Sequence, residues 1–263
     1  LLAQAKAYFK DNPDDPYEYK SKLESLKGSY ARTPAAEEAE KLIAGLKNLP
    51  PIPDALDQVP EAKEYQLVYD LNLKRLQHQI VYDKDERANI TQPFDRIAYF
   101  VELKPKGKGK QWVFVSMDAF TDDLGKIGIP TIASGASFQQ NVNNLNVTSN
   151  VDGIETGTGL TGGNIEFWPN NYGNKNAMNV PNAANNKYDF GDQMSNRPVD
   201  GYGSMQVHNH EAKQTIFAIN KWKDGNNADL GIGNRPRDNP DWTFSKSGRN
   251  YGSKRLRVFV RCK

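Results

Sequence analysis

The first 46 residues carry apolar positions at helical spacing. Asp15-Pro16 is a helix-start signal, because aspartate caps free backbone N–H groups and proline fits the first helical position. Thr33-Pro34 repeats this signal. Apolar residues then follow on one face of each helix: Tyr19, Leu23 and Leu26 after the first start, and Ala39, Leu42, Ile43 and Leu46 after the second. The pattern predicts a short α-helical hairpin over residues 1–48, similar to a single tetratricopeptide repeat.

A proline-rich segment ends the helical pattern. Pro50, Pro51 and Pro53 each lack a backbone N–H donor and restrict the residue before them, so a helix cannot continue there. The sequence therefore predicts a linker over residues 49–62 and a second domain over residues 63–263.

Beyond the linker the apolar period changes from helical to two, which is the period of a β-strand. Gly, Asn, Pro and Asp separate the segments, and the crossover helices of a parallel sheet are not visible. The predicted fold class is mainly β, an antiparallel β-sandwich of jelly-roll type behind the helical hairpin. We place strands at 65–71, 97–103, 111–117, 136–140, 145–149, 163–168, 187–190, 204–209, 214–220 and 254–260.

Charge and composition exclude several kinds of partner. The chain has 34 Lys and Arg against 32 Asp and Glu, so no overall field attracts nucleic acid. The four lysines of residues 104–110 are interpreted as a solvated hairpin loop. No apolar run reaches the length of about 20 residues that spans a bilayer, so membrane insertion is not expected. The lone Cys262 allows no disulfide framework.

Composition also suggests a cellular context. Abundant Asn, Gly and Tyr with one cysteine are typical of extracellular, periplasmic or cell-envelope β-proteins of bacteria. Residues Leu1 to Gln4 include no initiator Met and no signal-peptide pattern, which leads us to expect a piece of a longer protein.

Two histidines stand in a predicted strand. Alternate residues of a strand share a face, so His208 and His210 are expected to project together. Two imidazoles at this spacing are compatible with a metal site, but the nearby Glu211 is adjacent to His210 instead of displaced along the chain. We interpret the pair as members of a row of hydrogen-bonding side chains and keep the metal as an alternative.

A calcium site is a further open alternative. Asp224, Asn226 and Asp229 offer oxygen ligands in a turn-like segment, without the bidentate Glu of an EF-hand. A β-turn held by side-chain hydrogen bonds explains the same residues. No other cofactor is predicted.

Aromatic residues beside Asn, Gly or Pro are the most distinctive feature of the C-terminal half. Flat rings stack on the C–H faces of sugars, while amides, imidazoles and guanidinium groups bind hydroxyls. The alternative is that single Trp residues fill the core. The candidate ligand-binding residues are Trp168, Asn170, Tyr172, His208, His210, Trp222, Asn234, Arg235 and Trp242.

Catalytic motifs are weak by comparison. No Gly-x-Ser-x-Gly nucleophile elbow occurs, and no Ser stands in a recognisable relation to the histidines. Glu166, Asp189 and Asp192 are carboxylates of the type that glycoside hydrolases pair, but no pattern selects them. We name no catalytic residue.

Six segments together resemble a known domain: 163–172, 188–192, 200–209, 228–234, 240–244 and 254–258. The resemblance is to a β-rich accessory domain at the C-termini of large secreted bacterial proteins, some labelled sialate O-acetylesterase. The Gly-Asp-Ser-type and Asp-x-x-His blocks of that esterase are not found here. The resemblance therefore implies an appended module similar to carbohydrate-binding modules.

The leading functional hypothesis is a non-catalytic carbohydrate-binding module that tethers a larger secreted protein to a polysaccharide or envelope glycan. One alternative is a carbohydrate-active enzyme, either an esterase of the sialate O-acetylesterase kind or a glycoside hydrolase. Another is a structural assembly domain of a cell-envelope complex. Expected partners are a glycan and other domains of a parent protein.

Overall fold

A computed structural model of the chain describes residues 1–11, 16–46, 54–76, 80–131, 133–168, 177–179, 193–195, 204–220, 228–233 and 246–263. The chain divides into two compact units, Leu1–Asp54 and Ala55–Lys263. The first is helical, and the second contains the β-strands.

The described residues of the first unit form three helices: α1 Leu2–Asp11, α2 Pro16–Ser29 and α3 Pro34–Gly45. The Thr33 side chain accepts a hydrogen bond from the Ala36 amide at 3.2 Å, which caps α3 as its sequence predicts. Tyr19, Leu23 and Leu26 of α2 are buried, and the Tyr19 ring stacks on Phe9 of α1. The two predicted helices are present, while the hairpin prediction omitted α1.

Fifteen strands are described in the second unit, and all their pairings are antiparallel. Their bounds are β1 Gln66–Asn72, β2 Lys84–Asp85, β3 Phe94–Pro105, β4 Gln111–Asp118, β5 Phe138–Asn141, β6 Leu145–Ser149, β7 Gly157–Leu160, β8 Gly163–Trp168, β9 Ala177–Asn179, β10 Gln193–Ser195, β11 Ser204–Asn209, β12 Gln214–Asn220, β13 Asp229–Ile232, β14 Lys246–Ser247 and β15 Tyr251–Cys262.

These strands form two large sheets and one pair. The seven-stranded sheet has the order β2-β1-β15-β3-β4-β6-β7, and the six-stranded sheet has the order β14-β13-β12-β11-β8-β5. Strands β9 and β10 pair with each other. The predicted mainly-β, antiparallel class is confirmed. The strand predicted at 187–190 lies outside the described residues.

Side chains from both large sheets meet in one apolar core. Tyr99 of β3 contacts Phe167 of β8 and Phe217 of β12, with ring centroids 5.9 and 5.7 Å apart. All three residues are fully buried. This core sets the inward face of every strand that crosses it, so alternate residues of the six-stranded sheet point away from the seven-stranded sheet.

The opposite face of the seven-stranded sheet is also covered. Short 3-10 helices at Ala55–Gln58 and Pro60–Glu64 pack against an apolar cluster that includes Phe100, Phe114 and Phe259. Burial on both faces explains why β3 reads as a continuous apolar run and not as an alternation. Part of the segment predicted as a linker, 49–62, thus packs on the β unit.

A buried arginine joins this cover to the sheet. Arg96 of β3 donates hydrogen bonds to the Tyr65 hydroxyl at 2.9 Å, the Ser116 hydroxyl at 2.7 Å and the Asn144 carbonyl at 2.9 Å. Glu61 accepts from both hydroxyls, at 2.9 Å from Tyr65 and 2.5 Å from Ser116. These bonds hold the Pro60–Glu64 helix in one place on β3 and β4.

The helices in the described part of the chain are all too short or too polar to cross a membrane.

Candidate functional site

The outward face of the six-stranded sheet is polar, in contrast to its inward face. In β8 and β11, Ile165, Phe167, Met205 and Val207 belong to the apolar core. The residues between them point to the other side, because side chains alternate along a strand. Cross-strand pairing aligns Gln206 with Glu166, so the polar positions of neighbouring strands lie side by side.

A β-bulge in β12 brings Thr215 onto this face. Val207 pairs with Phe217, but the next residue, His208, pairs with Thr215, so Ile216 is the extra residue. Ile216 and Phe217 both enter the core, and Thr215 lies opposite His208. Because directly opposed residues share a face, the bulge places Thr215 beside His208.

A glycine allows β8 and β11 to approach closely at one end. The His210 amide donates to the Gly162 carbonyl at 2.7 Å. Gly162 has a φ of +79°, and a Cβ atom there would lie 2.7 Å from the backbone nitrogen of Glu211. Only glycine fits this position without a shift of the backbone.

We call this set of side chains the polar face. Each member is at most 9% exposed, although none is apolar. The polar face comprises Gln139 of β5, Asn164 and Glu166 of β8, Ser204, Gln206 and His208 of β11, and Thr215 and Asn220 of β12.

Several polar atoms of this face have no hydrogen-bond partner within the described part of the chain. They are the hydroxyls of Ser204 and Thr215, both ring nitrogens of His208, and both amide atoms of the Asn220 side chain. Leaving a buried polar group unsatisfied costs about 1–3 kcal/mol. Most buried polar groups in proteins are therefore bonded, and a cluster of exceptions indicates a place where another molecule or water binds.

The polar face brings a carboxylate and an imidazole together. The Nε2 atom of His208 lies 3.9 Å from the Oε1 atom of Glu166, and both side chains are fully buried. This distance exceeds that of a hydrogen bond. The His210 ring centroid lies 5.5 Å from that of His208, so the two imidazoles are neighbours as the sequence predicts. His208 is buried, however, and not at the surface.

Burial, together with a smaller contribution from repulsion by His210, lowers the pKa of His208 to about 3. The folded protein therefore holds His208 neutral, while the unfolded chain binds a proton below its ordinary pKa of 6.5. Stability should consequently fall as the pH drops from 6.5 towards 3. Between pH 7 and pH 5 we expect this group to cost about 2 kcal/mol. Urea denaturation at both pH values should show a smaller loss for His208→Gln, and equal losses would contradict the assignment.

Most of the residues predicted to bind a ligand lie outside the described residues: Asn170, Tyr172, Trp222, Asn234, Arg235 and Trp242. Trp168 is the last residue of β8 and pairs with Ser204. The structure thus brings together His208 and His210 from the predicted set. The aromatic residues expected to stack on a sugar stay predictions.

The calcium hypothesis also stays a prediction. Asp224 and Asn226 lie outside the described residues, and Asp229 is the first residue of β13, opposite Asn220. Burial raises the pKa of the Asp229 carboxyl. Across the described ranges, no group of three or more His, Cys, Asp or Glu side chains is arranged to hold a metal ion.

Sequence reasoning missed the amide and hydroxyl members of the polar face, among them Gln206, Thr215 and Asn220. An alternating strand ordinarily predicts a solvated polar side. The available signal was the chemistry of the polar positions: β11 alternates Met205 and Val207 with Ser204, Gln206 and His208, none of which is a charged residue of the kind usual on solvated strands.

Comparisons with protein families, curated proteins and solved structures find no match to this chain.

Proposed function

We propose that the β unit is a non-catalytic carbohydrate-binding module, a β-sandwich of jelly-roll type in which the polar face binds the sugar. The module would tether a larger protein outside the cytoplasm, extracellular or in the periplasm or cell envelope, to a polysaccharide or envelope glycan. The aromatic residues predicted to stack on the sugar, Trp168, Tyr172, Trp222 and Trp242, belong to this proposal.

The observation that carries the proposal is the group of unsatisfied polar atoms on the polar face. Ser204, His208, Thr215 and Asn220 are buried without hydrogen-bond partners among the described residues. A protein keeps such groups at a cost in stability when a ligand satisfies them. The position on one sheet face, with a rigid core beneath it, holds their geometry constant.

The chemistry of these groups matches hydroxyls better than other ligands. A sugar hydroxyl both donates and accepts a hydrogen bond, and so do the hydroxyl, amide and neutral imidazole groups of this face. The pKa of His208 is lowered to about 3, so its ring stays neutral at physiological pH and offers one donor and one acceptor. A surface that offers both hydrogen-bond donors and acceptors suits a ligand with many hydroxyl groups, such as a sugar.

Thr215→Val tests the proposal because it removes a hydroxyl and keeps the shape of the side chain. We expect affinity for a bound glycan to fall about five- to tenfold, the loss of one hydrogen bond. The free energy of unfolding should stay the same or rise by about 1 kcal/mol, since a buried unpaired hydroxyl disappears. Affinity electrophoresis in soluble β-glucan, xylan and galactomannan measures binding, and urea denaturation measures stability.

Thr148→Val in β6 is the matched control, because Thr148 is partly buried on the other sheet. It should leave glycan binding unchanged. Asn220→Leu provides a second test on the polar face and should weaken binding at least as much as Thr215→Val. The proposal would be overturned if no glycan altered the mobility of the wild type. It would also be overturned if Thr215→Val and Asn220→Leu both bound glycan like the wild type.

A second candidate, a carbohydrate-active hydrolase or esterase, is favoured by one contact. The neutral His208 lies 3.9 Å from the Glu166 carboxylate, and a buried imidazole beside a carboxylate is a common general acid–base arrangement. The same glycan samples, analysed for released acetate and shorter sugars, separate the candidates. A binding module leaves the glycan intact, whereas an enzyme yields products that His208→Gln abolishes.

A further inference from the structure

A second surface of the β unit carries concentrated positive charge. The loop between β3 and β4 places Lys106 and Lys108 in exposed positions, and a turn with Gly107 at φ +72° separates them. Neither lysine forms a salt bridge with a carboxylate of the described residues. The chain as a whole has a net charge of only +2, so this loop differs from the rest of the sequence.

A separate segment brings an exposed arginine close to this loop in the fold. The Lys106 amide donates to the Asn250 carbonyl at 2.9 Å, and Pro105 pairs with Tyr251. Arg249, which precedes Asn250 in the chain, is exposed. Lys254 donates to the Gly248 carbonyl at 2.7 Å and fixes this segment on β15. Residues far apart in sequence therefore form one basic surface, defined here as Lys106, Lys108 and Arg249.

Glu102, close to this loop in the chain, pairs with cations outside the basic surface. Glu102 of β3 is buried and lies 3.1 Å from the Lys110 ammonium and 2.9 Å from the Arg257 guanidinium. Glu102 is therefore already paired with two cations.

We propose that this basic surface binds an anionic polysaccharide that carries sulfate or carboxylate groups. The choice of a polysaccharide rests on the proposed function of the β unit. Lysine ammonium groups bind such anions as point charges, which suits the varied spacing of charges along a polysaccharide. Residues 104–110 and 248–250 contain no aromatic side chain, so the stacking surfaces that single-stranded nucleic acids require are missing from these segments.

The test compares Lys106→Gln/Lys108→Gln with the wild type in titrations with chondroitin sulfate and polygalacturonate between 20 and 200 mM NaCl. Each lysine that contacts the polyanion releases about one counterion, so the double variant should lower the slope of log affinity against log salt by about two. At the lowest salt its affinity should fall about tenfold or more. Binding to only one of the two polyanions identifies the anionic group and supports the proposal.

Lys63→Gln/Lys84→Gln is the matched control, because both lysines are exposed in the same unit and far along the chain from the loop. It should bind both polyanions like the wild type. The proposal fails if the wild type binds neither polyanion, if the two double variants behave alike, or if an oligo-dT strand binds more tightly at equal salt. Binding of neutral glycans tests the polar face separately. Thr215→Val should weaken that binding, and Lys106→Gln/Lys108→Gln should leave it unchanged.

Discussion

Phe167→Ala is expected to lower the free energy of unfolding by about 3–5 kcal/mol, the usual cost of removing a fully buried phenyl ring. Phe167 has no exposed surface. Its ring meets Tyr99, Phe120 and Phe138 edge to face, with centroids 5.9, 5.6 and 6.2 Å away. Tyr99 also contacts Phe217, and Phe120 contacts Phe138, so these rings fill the space only in part and a cavity remains. Urea denaturation followed by fluorescence measures the loss.

The control for this variant is Val81→Ala, since Val81 is 62% exposed. It should change the free energy of unfolding by no more than about 0.5 kcal/mol. A loss below about 1.5 kcal/mol for Phe167→Ala would contradict the packing of the two sheets on a shared core. The result also bears on the site, because Phe167 in the core sets the neighbouring Glu166 on the polar face.

Arg96→Met should cost about 3 kcal/mol, towards the lower end of the range for breaking a buried charge pair. Arg96 is 6% exposed, and its guanidinium group bonds to Tyr65, Ser116 and Asn144, with Asp118 at 3.2 Å. Methionine fills a similar volume but leaves these acceptors without their donor. Asp118 has partial access to water, which limits the loss.

Arg87→Met is the matched control for the arginine. Arg87 makes two bonds to Asp85, at 2.9 and 2.7 Å, but both side chains are well exposed. An exposed ion pair contributes about 0–1 kcal/mol, so this variant should be close to the wild type in chemical denaturation. Equal losses for the two arginine variants would show that the network of Arg96 does not hold the 3-10 helix on the sheet.

The strands were the most predictable part of the fold. Segments 145–149, 163–168, 204–209 and 214–220 coincide with β6, β8, β11 and β12. Their boundaries are clear because turn-forming residues stand at both ends and the apolar period is two. The longer β3 and β15 extend beyond their predictions, because polar residues and glycine, such as Asp95, Arg96 and Gly252, interrupt the apolar pattern near their ends.

Other elements depend on tertiary contacts that a local pattern does not contain. The 3-10 helices at Ala55–Gln58 and Pro60–Glu64 form where Ala55, Val59 and Ala62 meet the aromatic face of the seven-stranded sheet. Prolines in this region predict an irregular linker equally well. The bulge at Ile216 is similar, because only the pairing with β11 reveals that β12 contains one residue more than a regular ladder.

The candidate site was predictable in part. The histidines drew attention through their spacing, and the structure does bring their rings to 5.5 Å. Their burial was not predictable, because alternation alone does not tell whether the polar side of a sheet meets water. The sequence does not show that Thr215 and Asn220 lack hydrogen-bond partners among the described residues, because it does not show which groups an amide or hydroxyl meets.

The apolar cover of the seven-stranded sheet matters to anyone who shortens the chain for expression. Three aromatic rings, Phe100, Phe114 and Phe259, lie beneath the segment that begins at Ala55. A version that starts at residue 63, where the strand pattern begins, would uncover this surface and invite aggregation. A version that starts at residue 55 keeps the two 3-10 helices that cover these rings. The better first residue is therefore eight positions earlier than the strand pattern suggests.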